Sequence, residues 1–127
     1  MSEKLNNQSA FDKVWDWFVV QGHGVSMDSQ GTGMYRGPGD LRCAIGCLIP
    51  DELYMENMEY LGITDFRGFA SIGELFAGID LDLLRAMQNL HDVQGRTTAP
   101  TETAHEILVG LTRIAKVYSL TIPEVAT

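Results

Sequence analysis

The sequence predicts an α+β fold, a mainly helical single domain of about five helices with a small antiparallel hairpin or three-stranded sheet near residues 25–42. Three observations predict it. Apolar residues recur at helical spacing over 11–19, 83–91 and 107–118. Between residues 23 and 33 glycine and polar residues recur instead, and Val25 and Met27 alternate with Ser26 and Asp28. Finally, Arg36-Gly37-Pro38-Gly39-Asp40 is dense in residues that permit positive φ or preset a turn, so the chain should reverse there with Tyr35 facing Leu41.

Taken in order, residues 1–8 are polar and expected to fray. Ser9 then stands as a cap before Phe11, Val14, Trp15, Phe18 and Val19, with Asp12 three residues after it and Gly22 as the stop. The Ser29-Gln30-Gly31 turn divides the hairpin, which continues through Met34-Tyr35-Arg36 and Leu41-Arg42; His23, between two glycines, belongs to a loop tip. Cys43 to Ile49 is seven residues without a charge, too short for a membrane span and too apolar for a surface loop. This run is core; periodicity leaves strand and short helix open, its small residues admit close approach of another backbone in either case, and a short helix is the expectation. Pro50, Asp51 and Glu52 start a helix that Gly62 ends.

Beyond it, residues 63–70 are a connector, and Ser71-Ile72-Gly73-Glu74 has the form of a capping box for a short helix through Ala77. Asp80 caps the next helix, whose stripe of Leu83, Leu84, Met87, Leu90 and His91 runs toward Gly95. The last helix starts at Thr101 or Thr103 and carries Ile107, Leu108, Leu111, Ile114, Ala115 and Tyr118 on one face. One domain over 1–127 is expected, with 1–8 and 121–127 flexible and with no internal repeat.

Seventeen acidic against nine basic residues give a formal charge of −8, and eight of those carboxylates fall between Asp51 and Asp82 against Arg67 alone. Such a balance argues against binding a phosphate backbone, which needs cations to displace counterions, and it permits a protein partner with a basic surface or serves as a solvated face alone. The N-terminus has no apolar signal core and no run reaches the roughly 18 residues of a membrane helix. A cytoplasmic protein with two free thiols and no membrane association is the expectation.

The spelling Tyr35-Arg36-Gly37-Pro38, then Cys43-Ala44-Ile45-Gly46-Cys47-Leu48-Ile49-Pro50-Asp51-Glu52-Leu53-Tyr54, with Leu90-His91-Asp92 and Ile114-Ala115 to Tyr118-Ser119-Leu120 later, resembles a family of small uncharacterised proteins encoded by bacterial genomes, tailed phages and prophages. The resemblance covers about half of the chain and brings no activity with it. It implies a phage or mobile-element accessory protein in the host cytoplasm that acts by binding a host or phage macromolecule, inhibition of a host system among its roles.

Candidate chemistry is sparse. Cys43, His91 and Asp92 are a nucleophile, a base and an orienting carboxylate in the order of papain-like hydrolases, yet no oxyanion-hole motif accompanies them. Adjacent His91 and Asp92 would also point in different directions on a helix. Cys43 and Cys47 are spaced C-x3-C, not the C-x2-C of a zinc knuckle, and the thirteen glycines spell no phosphate-binding loop. No cofactor and no metal is predicted. Tyr35, Arg36, Asp51 and Tyr54 could line a small polar pocket at the glycine turn. Glu52, Glu56 and Glu59 join Asp51 on an acidic face, and a non-catalytic binder is the reading this favours.

Overall fold

The computed structural model describes residues 5–28, 30, 32–59, 70–97 and 100–123. The first helix, α1, spans Asn7–Trp15, and Asn6 rather than Ser9 is its cap. Asn6 Oδ1 accepts the Ser9 N–H at 2.8 Å and Ser9 Oγ accepts the Asn6 N–H at 2.9 Å, a reciprocal capping box. Ser9 is thus the partner at the third helical position, and asparagine does the capping, which it does as well as serine.

Phe11, Val14, Trp15 and Phe18 are buried as their spacing implies. From Asp16 to Val20 the helix widens into a π-helical turn, with the Gln21 N–H bonded to Asp16 O at 2.8 Å across five residues. Gly22, at φ +71°, then ends it. In this turn Trp17 is only half-buried and Val20 is half exposed.

The α+β expectation is overturned. Among the described residues there is no strand and no sheet, only two isolated bridges, Met27 with Gly33 and Asn6 with Gly78. The predicted hairpin stops at one bridge because the backbone donors that would extend it are taken by side chains. The Ser26 N–H goes to His91 Nε2 at 2.9 Å, and the Tyr35 and Arg36 N–H groups go to the two carboxylate oxygens of Glu59 at 2.9 and 3.0 Å. Asp28 Oδ1 closes the loop tip instead, accepting from the N–H groups of Gln30 and Thr32. The turn at 36–40 is present, with the Gly37 N–H on Leu41 O at 2.8 Å and Gly39 and Asp40 at positive φ.

Cys43 to Ile49 forms a helical turn rather than a strand, ending in a 3-10 helix over Gly46–Leu48. Gly46 is required there, since a Cβ would overlap the Tyr35 carbonyl. The helix expected from Pro50 to Gly62 is also corrected. Two single 3-10 turns, Asp51–Leu53 and Glu56–Met58, are separated by extended backbone at Tyr54 and Met55. A continuous helix would set Tyr54 and Glu59, five residues apart, on different faces, whereas here the Tyr54 hydroxyl donates to Glu59 Oε2 at 2.5 Å. Gly62 and the connector to residue 69 lie outside the described residues.

Three further helices complete the frame: α2 over Ala70–Phe76, α3 over Leu81–Thr97 and α4 over Pro100–Val117. The last starts a residue before the earlier of the two expected caps, with proline in its first turn, where no N–H is needed. The side chains of Ser71 and Thr101, expected as caps, lie outside the described residues. Asp80, the cap expected for α3, exchanges two bonds with Asn7: its N–H reaches Asn7 Oδ1 at 2.8 Å, and its Oδ2 accepts from Asn7 Nδ2 at 3.1 Å.

Helices α3 and α4 pack on each other, with Gly110 of α4 so close to Leu90 of α3 that a Cβ would strike it. Leu83, Leu84, Met87 and His91 of α3 and Ile107, Leu111 and Ala115 of α4 are buried against α1 and the Cys43–Ile49 turn. No helix among the described residues is long and apolar enough to cross a membrane.

Candidate functional site

Arg36 joins the 35–36 segment to the turn at 46–51. Its Nη1 donates to Gly46 O at 2.5 Å, a carbonyl that also accepts the Ile49 N–H at 3.2 Å, and its Nη2 donates to Ile49 O at 2.7 Å, at the end of the short 3-10 turn. Nη2 also reaches Asp51 Oδ1 at 3.0 Å, and the guanidinium lies 4.9 Å from the centroid of the Tyr54 ring. Below it Glu59 collects three donors, the N–H groups of Tyr35 and Arg36 and the hydroxyl of Tyr54. Desolvation first, and the Glu59 carboxylate second, push the Tyr54 phenol well above its ordinary range.

The fold therefore brings together Tyr35, Arg36, Asp51, Tyr54 and Glu59, all predicted as binding residues, but it joins them to one another. The groups that would have greeted a small polar ligand are spent on internal bonds. Glu59 in particular leaves the acidic face, on which the sequence placed it, for the interior of this network. Asp51, with its side chain 75% exposed, and Glu52 and Glu56, both exposed, remain on the surface. Met55 stands among them, 51% exposed.

The second predicted constellation is also assembled in part. Cys43 is fully buried, and Gln88 bridges toward Asp92: its Oε1 accepts the Ile45 N–H at 3.0 Å and its Nε2 donates to Asp92 Oδ1 at 3.0 Å. His91 and Asp92, although neighbours on α3, do meet, with Nδ1 2.8 Å from Asp92 Oδ1. Since His91 Nε2 accepts the Ser26 N–H, the ring is the tautomer with its proton on Nδ1, donated to Asp92. Both ring nitrogens are thereby engaged away from Cys43. Burial pushes the Cys43 thiol up to about 12, against the smaller lowering effect of the Gly46 N–H. The protonated thiol packs within the core cluster.

Sequence reasoning missed a third region. Where α1 crosses the 42–52 segment, two adjoining concavities of about 320 and 290 Å³ share Lys13 and Cys47 in their walls. Arg42 borders the larger. Its Nη2 bonds Asp51 Oδ1 at 3.0 Å and its guanidinium lies 5.2 Å from the Trp17 ring, whose centroid is 3.6 Å from that of a nearly parallel His23. Arg42 Nε and Trp17 Nε1 are enclosed without an acceptor. The only signal in the sequence was Lys13 and Arg42 standing among apolar residues in an otherwise acidic chain, and residues 29 positions apart announce no common site.

Among the described residues no group of histidine, cysteine and carboxylate side chains could hold a metal ion. No protein-family profile, no curated protein and no solved structure matches this chain.

Proposed function

We propose that the chain is an accessory protein of a phage or mobile element that acts without catalysis, by binding a host or phage protein through the surface of Asp51, Glu52, Met55 and Glu56. The observation that carries this reading is Met55: a large apolar side chain held 51% exposed between acidic groups, on a segment that is pinned from both sides. Arg36 fixes the start of that segment through Ile49 O and Asp51, and Glu59 fixes its end through Tyr35, Arg36 and Tyr54. A loop without a job has no need of such rigidity, and a preorganised loop gives up little entropy on binding. An apolar anchor with a charged rim is the usual anatomy of a contact patch. The acidic rim selects a basic partner and speeds its approach.

The glycine turn supports a small-ligand reading less well, because Arg36 and Tyr54 are already bonded within the protein. A cysteine hydrolase is supported less still, given the buried Cys43 and the engaged His91.

The test is affinity capture from host lysate with the wild-type chain and with Glu52→Lys/Met55→Asp/Glu56→Lys, followed by salt-dependent association kinetics with the purified partner. A partner kept by the wild type and lost by the triple variant, at equal melting temperature, supports the reading. A partner retained by both would move the interface elsewhere.

A further inference from the structure

The larger concavity between α1 and the 42–52 segment has the make-up of a ligand site. Its floor is apolar, formed by Leu5, Leu48, Ile49 and Leu75, each buried, with Pro50 at the side. Its rim is polar, with Lys13 and Arg42 as cations and Glu52 as the one carboxylate. A few polar groups around an apolar hollow is how small-molecule sites are built, and 320 Å³ falls at the small end of the range of about 300–1,000 Å³ that they occupy.

The rim's charges specify the ligand. Arg42 gives one bond to Asp51, and its charge is partly offset by Asp51 and Glu52. Among the described residues, no carboxylate pairs with the Lys13 ammonium. One positive charge is thus left for a ligand, supplied by a flexible stem that can lie along the apolar wall while its head reaches the anion. Glu52 on the same rim, and Asp12 and Asp16 in the adjoining concavity, repel anything carrying a second or third negative charge.

We propose that this concavity binds a small amphipathic monocarboxylate, its short hydrocarbon body on Leu48, Ile49 and Leu75 and its carboxylate on Lys13 and Arg42. The site shares Glu52 with the proposed docking surface, whereas Met55 and Glu56 do not line it. Inorganic or nucleoside phosphates are excluded by the same charges that admit one carboxylate.

Titration of the isotope-labelled full chain, followed by amide resonances, tests this with octanoate as the probe. Octanol, octyltrimethylammonium and inorganic phosphate serve as controls. Octanoate is expected to give saturable shifts at Leu48, Ile49, Glu52 and Leu75, and to bind at least tenfold more tightly than any control. Lys13→Glu, at an exposed position, should weaken it tenfold or more with the remaining spectrum unchanged, and Arg42→Gln should weaken it as well. Absence of saturation, shifts centred elsewhere, equal binding of octanol or of the cation, or indifference to Lys13→Glu would each overturn the proposal.

Discussion

His91 on α3 accepts the backbone N–H of Ser26 through Nε2 at 2.9 Å, a buried bond between residues 65 positions apart that fastens the 22–34 loop to the helix pair. Its other nitrogen is held by Asp92, which in turn receives Gln88. Replacing His91 by alanine removes the acceptor from a buried N–H and leaves a cavity beside Phe18, whose ring centroid is 5.8 Å from the imidazole. The expected loss is about 2–4 kcal/mol in urea unfolding, the sum of a cavity and an orphaned donor. Exchange of the Ser26 amide should accelerate beyond what the global loss explains if the loop detaches locally. A variant that melts like the parent would show that the bond contributes nothing.

Gly46 tests the seat of Arg36. A Cβ on residue 46 would run into the backbone of Tyr35, not into a side chain that can swing away. Gly46→Ala must therefore separate the Cys43–Ile49 turn from the 35–36 segment and pull Gly46 O off Arg36 Nη1. Several kcal/mol of stability should go, well beyond the roughly 0.5–1 kcal/mol by which glycine and alanine differ in an unhindered helix. By contrast Gly73→Ala, which meets open space within α2, should be neutral or stabilising in the same assay. A Gly46→Ala protein as stable as Gly73→Ala would disprove the close approach.

The helices that bury a stripe were legible because their pattern is local: Phe11, Val14 and Trp15, or Leu83, Leu84 and Met87, report their own face. The hairpin and the Pro50 helix were misread for a common reason. Side-chain bonds shape both: Glu59 and His91, up to 65 residues distant, claim backbone donors of the hairpin, and the Pro50 segment is held by Arg36 on Ile49 O and Asp51 and by the Tyr54–Glu59 bond, none of which leaves a local periodicity. Turn residues at 37–40 correctly announced a reversal, yet a reversal does not oblige its arms to pair. Of the candidate site residues, Arg36, Asp51 and Tyr54, which the sequence grouped around the glycine turn, contact one another, while Lys13 and Arg42 meet only through packing of α1 on the 42–52 segment.

Alkaline pH should unfold the protein through its thiols. The folded state holds the Cys43 proton up to about 12, against 9.0 for an ordinary thiol. The unfolded chain releases that proton first, so the stabilisation is complete below about pH 9 and declines by about 1.4 kcal/mol per unit as the pH climbs toward 12. Cys47 and Tyr54, also raised by burial, add to the fall. Urea midpoints measured from pH 8 to 11 should drop steadily for the wild type and less steeply for Cys43→Ala. Parallel slopes for the two proteins would mean that Cys43 titrates as an exposed thiol does.

Glu56 and Glu59 look equivalent in the sequence, two carboxylates three residues apart in one acidic run, and the structure gives them opposite roles. Glu56 is exposed and none of the bonds between described residues uses its carboxylate, so Glu56→Lys should shift stability by no more than about 0.5 kcal/mol. Glu59 accepts the Tyr35 N–H, the Arg36 N–H and the Tyr54 hydroxyl, each a charge-assisted bond. Glu59→Lys abolishes all three bonds and sets a cation against the three donors left behind, for an expected loss of about 3–5 kcal/mol. Glu59→Gln keeps one oxygen acceptor and should fall between the two. The effect on binding separates them differently: Glu56→Lys should slow association with a basic partner several-fold and flatten its salt dependence, because a surface charge acts on the approach. Glu59→Gln should act on the partner through the loop it pins, raising the dissociation rate as Met55 loses its fixed position. Equal stability losses for Glu56→Lys and Glu59→Lys would remove the clamp from this account, and an association rate indifferent to Glu56→Lys and to salt would remove the acidic rim.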